Sequence, residues 1–325
     1  MTLTRIAKEA GVSVSTVSKA LNESKEISSK TSEKIKKIAL KQGYFDKKRK
    51  LKKEYNKSDN FKVAVFCPEI ISVYYSSVVT CLCKKLEEAG GKGFVHITNF
   101  NSEKELRSIE QLTCDLGMSA VISFDNTDYG KDFNLPVLKL CPSNKYDNVY
   151  SDISQGIDSA VLFLKNSGHK RIGYIGEELT ATKFNYLKNA LKNHELEINP
   201  DYFYKSSARF EEAGRQGANY LAKNLPDAII CAYDEIAIGA IAEFKKLGIR
   251  VPEDISVIGI NDIPFSPYAT TPLTSLRSDI EELCSIGIRL LKNKVDNPGY
   301  NVVQSIAIKY KLILRETHKE IKNNG

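Results

Sequence analysis

The sequence predicts a small all-α helix-turn-helix headpiece joined to a bilobed α/β core built on two parallel, doubly wound sheets. Three observations predict it. Capped, amphipathic helical stretches fill the first 44 residues, a lysine-rich break follows, and from Phe61 short apolar runs alternate twice over with helical patterns. A chain of 325 residues suits a small module plus two larger lobes. The boundaries fall at 1–45 for the headpiece, 46–60 for a basic hinge and 61–325 for the core. One lobe takes about 61–153 and 276–300, the other about 154–275 and 301–316.

The headpiece begins at Thr2. Leu3, Ile6, Ala7 and Ala10 recur at the spacing of one helical face, and Gly11 supplies a residue that turns with positive φ at little steric cost. Ser13 then opens a second helix as its cap, with Val12 and Val17 spaced as a hydrophobic staple. Val17, Ala20 and Leu21 form its apolar face. Val14, Ser15, Thr16, Ser18 and Lys19 are left to project outward, a small, hydroxylated and basic surface that can approach base edges and phosphates. An ordinary helical hairpin would show the same periodicity. A third helix is signalled by Ser28 as cap and by Ile35, Ile38 and Ala39 on one face, ending at Gly43 and Tyr44.

Charge separates the two parts. The chain carries +7 overall, yet residues 1–57 hold 16 Lys and Arg against 6 Asp and Glu, a surplus of ten that leaves the remainder at −3. A basic head on a near-neutral body is what neutralising phosphates at one end requires. Residues 45–57, FDKKRKLKKEYNK, have little to bury and cannot fold alone; Leu51 and Tyr55 would share a helical face. The segment reads either as a free basic linker or as one that becomes helical on DNA and sets an apolar wedge in the minor groove.

In the core, KVAVFC precedes a helix at about 75–89. GFVHI, a helix at about 103–116, AVISF and PVLKL follow, in the rhythm of βαβ units. A second set runs from a helix at about 155–167 through RIGYIG, helices at about 181–193 and 211–223, AIICAY, a helix at 236–247 and ISVIGI. The last helix, about 280–294, and the run SIAIKYKLILRE imply that the chain crosses back between lobes. Bodies of this kind hold small molecules in the cleft outside the carboxyl ends of the strands.

Several function classes are excluded. The seven cysteines are odd in number and scattered, without paired CxxC spacing, and His96, His169, His194 and His318 show no metal spacing. No metal or cofactor is expected. No GxxxxGK[ST], GxGxxG or GxSxG is present, so no enzyme is expected either. No apolar signal segment or membrane-spanning run occurs, which predicts a cytoplasmic protein without a membrane partner.

AxxAGVSxSTVSxxLN, with the third helix and its GY ending, closely resembles the headpiece of the LacI/GalR family of bacterial transcription regulators. GHKRIGYIG, DEIAIGAI, GIRVPEDISVIGINDIPFSPYATTPLTSLR and the Asp of YSDISQG extend the resemblance from Pro68 to Arg315. The resemblance implies a periplasmic-binding-protein-like sensor that works as a homodimer on a palindromic double-stranded operator. It places Thr2, Val14, Ser15, Thr16, Ser18 and Lys19 against bases or phosphates, with Asn22 holding the turn after the second helix. Family members carry a hinge helix with a Leu wedge. Here Lys53 falls where that Leu often stands, leaving Leu51 as the aliphatic candidate.

For the effector pocket the resemblance implies Tyr74, Tyr75, Asp152, Lys183, Phe210, Tyr233, Asp234, Asn261 and Asp262. Asp152 opens a helix, where a capping Asp looks identical. Phe210 lies within one residue of a stacking position. Three departures change the chemistry: Lys183 replaces an arginine, Tyr233 an asparagine and Asn261 an aspartate. A compact cation with one fewer carboxylate suits a phosphorylated or acidic sugar derivative, although Lys183 reads equally as a surface residue. The function implied is a sequence-specific DNA-binding regulator, a repressor by family habit, gated by a small carbohydrate-like effector. A regulator governed by a protein co-effector and a plain carbohydrate receptor are the alternatives.

Overall fold

The computed structural model describes residues 3–21, 27–41, 61–127, 133 and 135–321; the expected hinge at 46–60, with Leu51, and the expected contacts Thr2 and Asn22 lie outside them. Headpiece and core are separate bodies and are taken in turn.

The headpiece is three helices, α1 (Leu3–Ala10), α2 (Val14–Leu21) and α3 (Ser29–Lys41). They share one core of Ile6, Ala7, Ala10, Val17, Ala20, Ile35 and Ala39, with Val12, Ile27 and Ile38 packed at its edge. The turn is built as its residues dictate. Gly11 takes φ +73°, and the amides of Gly11 and Val12 both return to the Ala7 carbonyl. Ser13 Oγ accepts from the Thr16 amide at 3.1 Å, and Ser28 Oγ from the Thr31 amide at 3.3 Å, so each of the next two helices starts on a serine cap. Lys34 Nζ donates to the Ala10 carbonyl at 3.1 Å, covering the open end of α1 from α3.

The core holds two six-stranded sheets. The first lobe comprises β1 (Lys62–Cys67), α4 (Val73–Glu88), β2 (Lys92–Ile97), α5 (Ser102–Leu116), β3 (Ala120–Ser123), β4 (Val137–Lys139), β5 (Asp147–Asp152), α10 (Ile280–Asp296) and β11 (Ser305–Lys309). Its strand order is β11-β5-β4-β3-β1-β2. The second comprises α6 (Ile153–Asn166), β6 (Ile172–Glu177), α7 (Ala181–Asn193), β7 (Phe203–Ser206), α8 (Phe210–Leu221), β8 (Ala228–Cys231), α9 (Asp234–Lys246), β9 (Ser256–Asn261), β10 (Thr274–Arg277) and β12 (Lys311–Ile313), ordered β12-β10-β9-β8-β6-β7. Strands β6, β8 and β9 are buried along their length, as parallel strands covered on both faces must be, and so they read as unbroken apolar runs. The second lobe has the larger core, in which Tyr174, Phe244, Ile229, Ile258 and Leu276 meet the inner faces of α6 to α9.

His169 is a structural residue of this lobe: Nδ1 donates to the Leu164 carbonyl and Nε2 accepts from Ser256 Oγ at 2.8 Å. No described helix is long and apolar enough to cross a membrane.

Three crossings join the lobes, and two fall elsewhere than the sequence pattern places them. The first lies between Asp152 and Ile153, close to the expected 153/154. The second follows Arg277, the last residue of β10, rather than 275. The third is at Tyr310 rather than 300/301: β11 pairs in parallel with β5 of the first lobe, and β12 runs antiparallel to β10 of the second. SIAIKYKLILRE is one continuous β-like run, and periodicity carries no mark of where it changes sheets. Gly156 makes this crossing feasible. A Cβ there would stand 2.8 Å from Tyr310 Cβ, so the bare glycine leaves room for the buried tyrosine.

Candidate functional site

Two surfaces follow from this fold. On the headpiece, burial of Val17 and Ala20 turns the opposite side of α2 outward, where Val14, Ser15 and Lys19 are exposed and Thr16 is half-buried. The hydroxyls of Ser15 and Thr16 lie 2.7 and 2.8 Å from Ser13 Oγ, a hydroxyl cluster at the amino end of the helix. Ser18 lies on α2, its side chain outside the description.

In the core, a cavity of about 310 Å³ lies between the lobes at the carboxyl ends of their strands. Of the nine sequence-derived pocket residues it brings together Tyr74, Tyr75, Lys183, Tyr233 and Asn261. Tyr74 and Tyr75 sit on the first turn of α4. Tyr75 meets Phe124 edge-on at 5.5 Å, while Tyr74 lies near Ser278 and Ser151, whose hydroxyls stand 2.7 Å apart at two crossings. Burial raises the pKa of both phenols, so they are neutral donors at ordinary pH. Lys183, near the start of α7, donates to the Ala232 carbonyl at 2.8 Å and stands 4.1 Å over the Tyr233 ring. Burial pushes its amine down to about 8 against the opposing pull of Glu235, Asp234 and Glu177. The described lining includes no carboxylate; its polar groups are tyrosine and serine hydroxyls, Thr182, Asn261 and this amine.

The other four residues stand off the cavity lining, each for a definite reason. Asp152 caps α6, accepting from the Gln155 amide at 3.1 Å. Asp234 is fully buried and accepts from Ser275 Oγ, the Ile263 amide and Ser266 Oγ at 2.5, 2.7 and 3.0 Å. Burial outweighs those bonds and raises its carboxyl to about 6. Its role is to hold the loop after β9, and Gly259 must be glycine because a Cβ there would strike the Asp234 carboxylate. Asp262 joins Arg277 at 2.6 Å and Arg315 at 2.7 Å. Phe210 has its ring 6.2 Å from Tyr233, one ring outside the cavity.

Sequence reasoning did not single out Tyr150, Tyr310 and Ser151, which reach the cavity from the crossings, nor Glu69, Glu177 and Arg209 at its rim. The one signal for Arg209 was its place beside Phe210. A larger cavity of about 580 Å³ lies within the first lobe, lined by Met118, Pro136 and Asp147 at the amino ends of β3 to β5. Ligands of open α/β sheets sit at the opposite ends. Among the described residues no three His, Cys, Asp or Glu side chains stand together as metal ligands would.

A helix-turn-helix with an outward polar face, carried on a two-lobed core with an interlobe cavity, defines a DNA-binding regulator with a ligand-sensing body. Residues 2–46 match the bacterial regulatory proteins of the lacI family, and residues 161–318 match the periplasmic binding protein-like domain. The HTH-type transcriptional repressor PurR of Pasteurella multocida is 28% identical over 309 residues, spanning 91% of this chain and 92% of that protein. The probable HTH-type transcriptional repressor ExuR of Bacillus subtilis is 28% identical over 315 residues, 92% of each. Among solved structures, the lac repressor dimer bound to operator and the anti-inducer ONPF superposes with a TM-score of 0.74 at 21% identity, covering 98% of this chain and 99% of that one. The CelR–cellobiose complex gives 0.68 at 20% identity, covering 98% and 99%. A regulator from Enterococcus faecium with bound ribose gives 0.70 at 19%, covering 80% and 100%. The chain belongs to the lacI family of bacterial regulatory proteins and is a DNA-binding transcriptional repressor, not an enzyme.

Proposed function

We propose that the protein binds a palindromic operator as a homodimer and that a small carbohydrate-like effector in the interlobe cleft sets its affinity for that operator. The observation that carries this reading is the union in one chain of an outward-facing α2 and a cleft of about 310 Å³ walled by tyrosines. Tyrosine faces suit the apolar faces of a sugar ring, and tyrosine, serine and asparagine groups suit its hydroxyls. Regulator structures that superpose on this chain carry cellobiose, ribose or ONPF by their descriptions, which supports the same ligand class.

The effector is a sugar derivative with an acidic or phosphate group, held by Lys183 in a lining without a described carboxylate. DNA is read by Val14, Ser15, Thr16, Ser18 and Lys19, one headpiece to each half-site. The protein acts in the cytoplasm, where that DNA is. Selection of binding sites from random duplex DNA, repeated with glucose, glucuronate, glucose 6-phosphate and further sugars and sugar phosphates, tests the reading. It predicts an inverted repeat whose occupancy moves with an anionic ligand. Binding without sequence preference would overturn it.

A further inference from the structure

The lobes are tied together at the rim of the cleft by one side chain. Arg209, the residue before α8, reaches from the second lobe to Glu69, on the loop after β1 in the first. The bond is two-pronged: Nη1 donates to Oε2 at 2.6 Å and Nη2 to Oε1 at 2.8 Å. The same guanidinium donates through Nε to Glu177 at the end of β6, at 3.1 Å, within its own lobe. The second oxygen of Glu177 accepts from the Phe210 amide at 3.2 Å, which supplies the cap that α8 lacks from its own N-cap side chain. Glu177 is 2% exposed and Glu69 10%, so this is a shared cation between two nearly buried carboxylates, not a solvated surface pair.

Ser72 gives α4 no side-chain cap, and the first turn of that helix, where the Ser76 amide donates to the Ser72 carbonyl at 3.0 Å, borders the cleft. The latch also touches the cavity through rings. The Arg209 guanidinium lies 4.3 Å over Phe210 and 5.9 Å over Phe100. Phe210 meets Tyr233, and Phe100 meets Tyr75, at 6.2 and 6.3 Å. Tyr233 lies under Lys183 and Tyr75 lines the cavity. Phe210 holds φ +53°, a left-handed conformation unusual for a bulky residue, kept by the Glu177 bond to its amide.

We infer that Arg209 is an interlobe latch, gripping Glu69 across the cleft while Glu177 fixes it from behind, and that it holds the lobes closed in the absence of effector. This rests on the interlobe cleft being the effector site and adds how that site is regulated. The effector enters a cleft already biased to the closed state, and Tyr233 and Phe210 carry its presence to the latch. The operator response then depends on the strength of the protein's own ion pair as well as on effector affinity.

Amide hydrogen exchange on the full-length protein, without DNA or ligand, tests this. Glu69→Gln removes the cross-lobe charge while leaving Arg209 on Glu177, so the second lobe keeps its internal bonds. The Ser76 amide, bonded in the first turn of α4 beside the cleft, should exchange at least tenfold faster in Glu69→Gln, with amides inside β6 and β8 unchanged. Arg209→Met, which leaves two carboxylates facing each other across the rim, should accelerate Ser76 further. Equal Ser76 exchange in wild type and Glu69→Gln, or uniform acceleration through both lobes, would overturn the latch. Because the readout needs neither effector nor operator, failure of the regulator reading would show separately, in the wild-type protein's DNA binding.

Discussion

In the proposed function, Lys183 selects the ligands that the cleft accepts. Its amine is pushed down to about 8 by burial, so it is charged below that pH and neutral above it. An anion placed beside it favours the charged form, so above about pH 8 binding must take up a proton. The affinity for glucuronate should be level from pH 6.5 to 8 and then fall, by up to tenfold per unit of pH. Calorimetric titration across that range reads it directly, and Lys183→Met should remove both the affinity and its pH dependence. Tight binding of neutral glucose, level through pH 9, would mean that the lysine is not the selector. The residue scale is also where the sequence misleads most. Asp234 and Asp262 have the side chains of sugar-gripping carboxylates, yet one is enclosed by Ser275, Ile263 and Ser266 and the other by Arg277 and Arg315. Which way a carboxylate at the end of a strand turns depends on loops that pack from distant sequence. Arg209, one position before the aromatic that pattern matching selects, is legible only once Glu69 is brought to it across 140 residues of chain.

At the scale of elements, the sequence is most informative where local signals agree. The headpiece combines periodicity, Gly11 and two serine caps, and all three described helices follow. The outward side of α2, where the proposed reading surface lies, is then fixed by exclusion, since Val17 and Ala20 face inward. Lys19→Ala should weaken specific operator binding by about 1–3 kcal/mol, the range for a lost bidentate base contact, with a shallower dependence on salt. A gel-shift titration that finds no change would move the reading face off this side of α2. Helices α4 to α10 are likewise legible from their apolar stripes. Strands β5 (DNVYSD), β7 (FYKS) and β10 (TSLR) are not, because polar residues at crossings and sheet edges interrupt the apolar runs by which β6, β8 and β9 announce themselves. That polarity has a structural use: Ser151 of β5 bonds Ser278 beyond β10, joining two of the crossings.

In the whole molecule, the proposed function links a basic reading head to a sensing body. The surplus of ten positive charges in residues 1–57 makes DNA affinity steeply salt-dependent whatever the sequence bound. In the proposed function, specificity comes from α2 and regulation from the cleft with its Glu69–Arg209–Glu177 cluster. A ligand that prefers one lobe arrangement changes operator affinity by its differential affinity for the two arrangements, and by no more than that. Equilibrium titration of the purified protein onto its selected operator, at 50 and 200 mM salt and with and without the ligand that moved the selection, measures this coupling. The account predicts a change of at least about fivefold at saturating ligand, on top of a loss of affinity at the higher salt. Identical affinity with and without saturating ligand, at both salts, would contradict it.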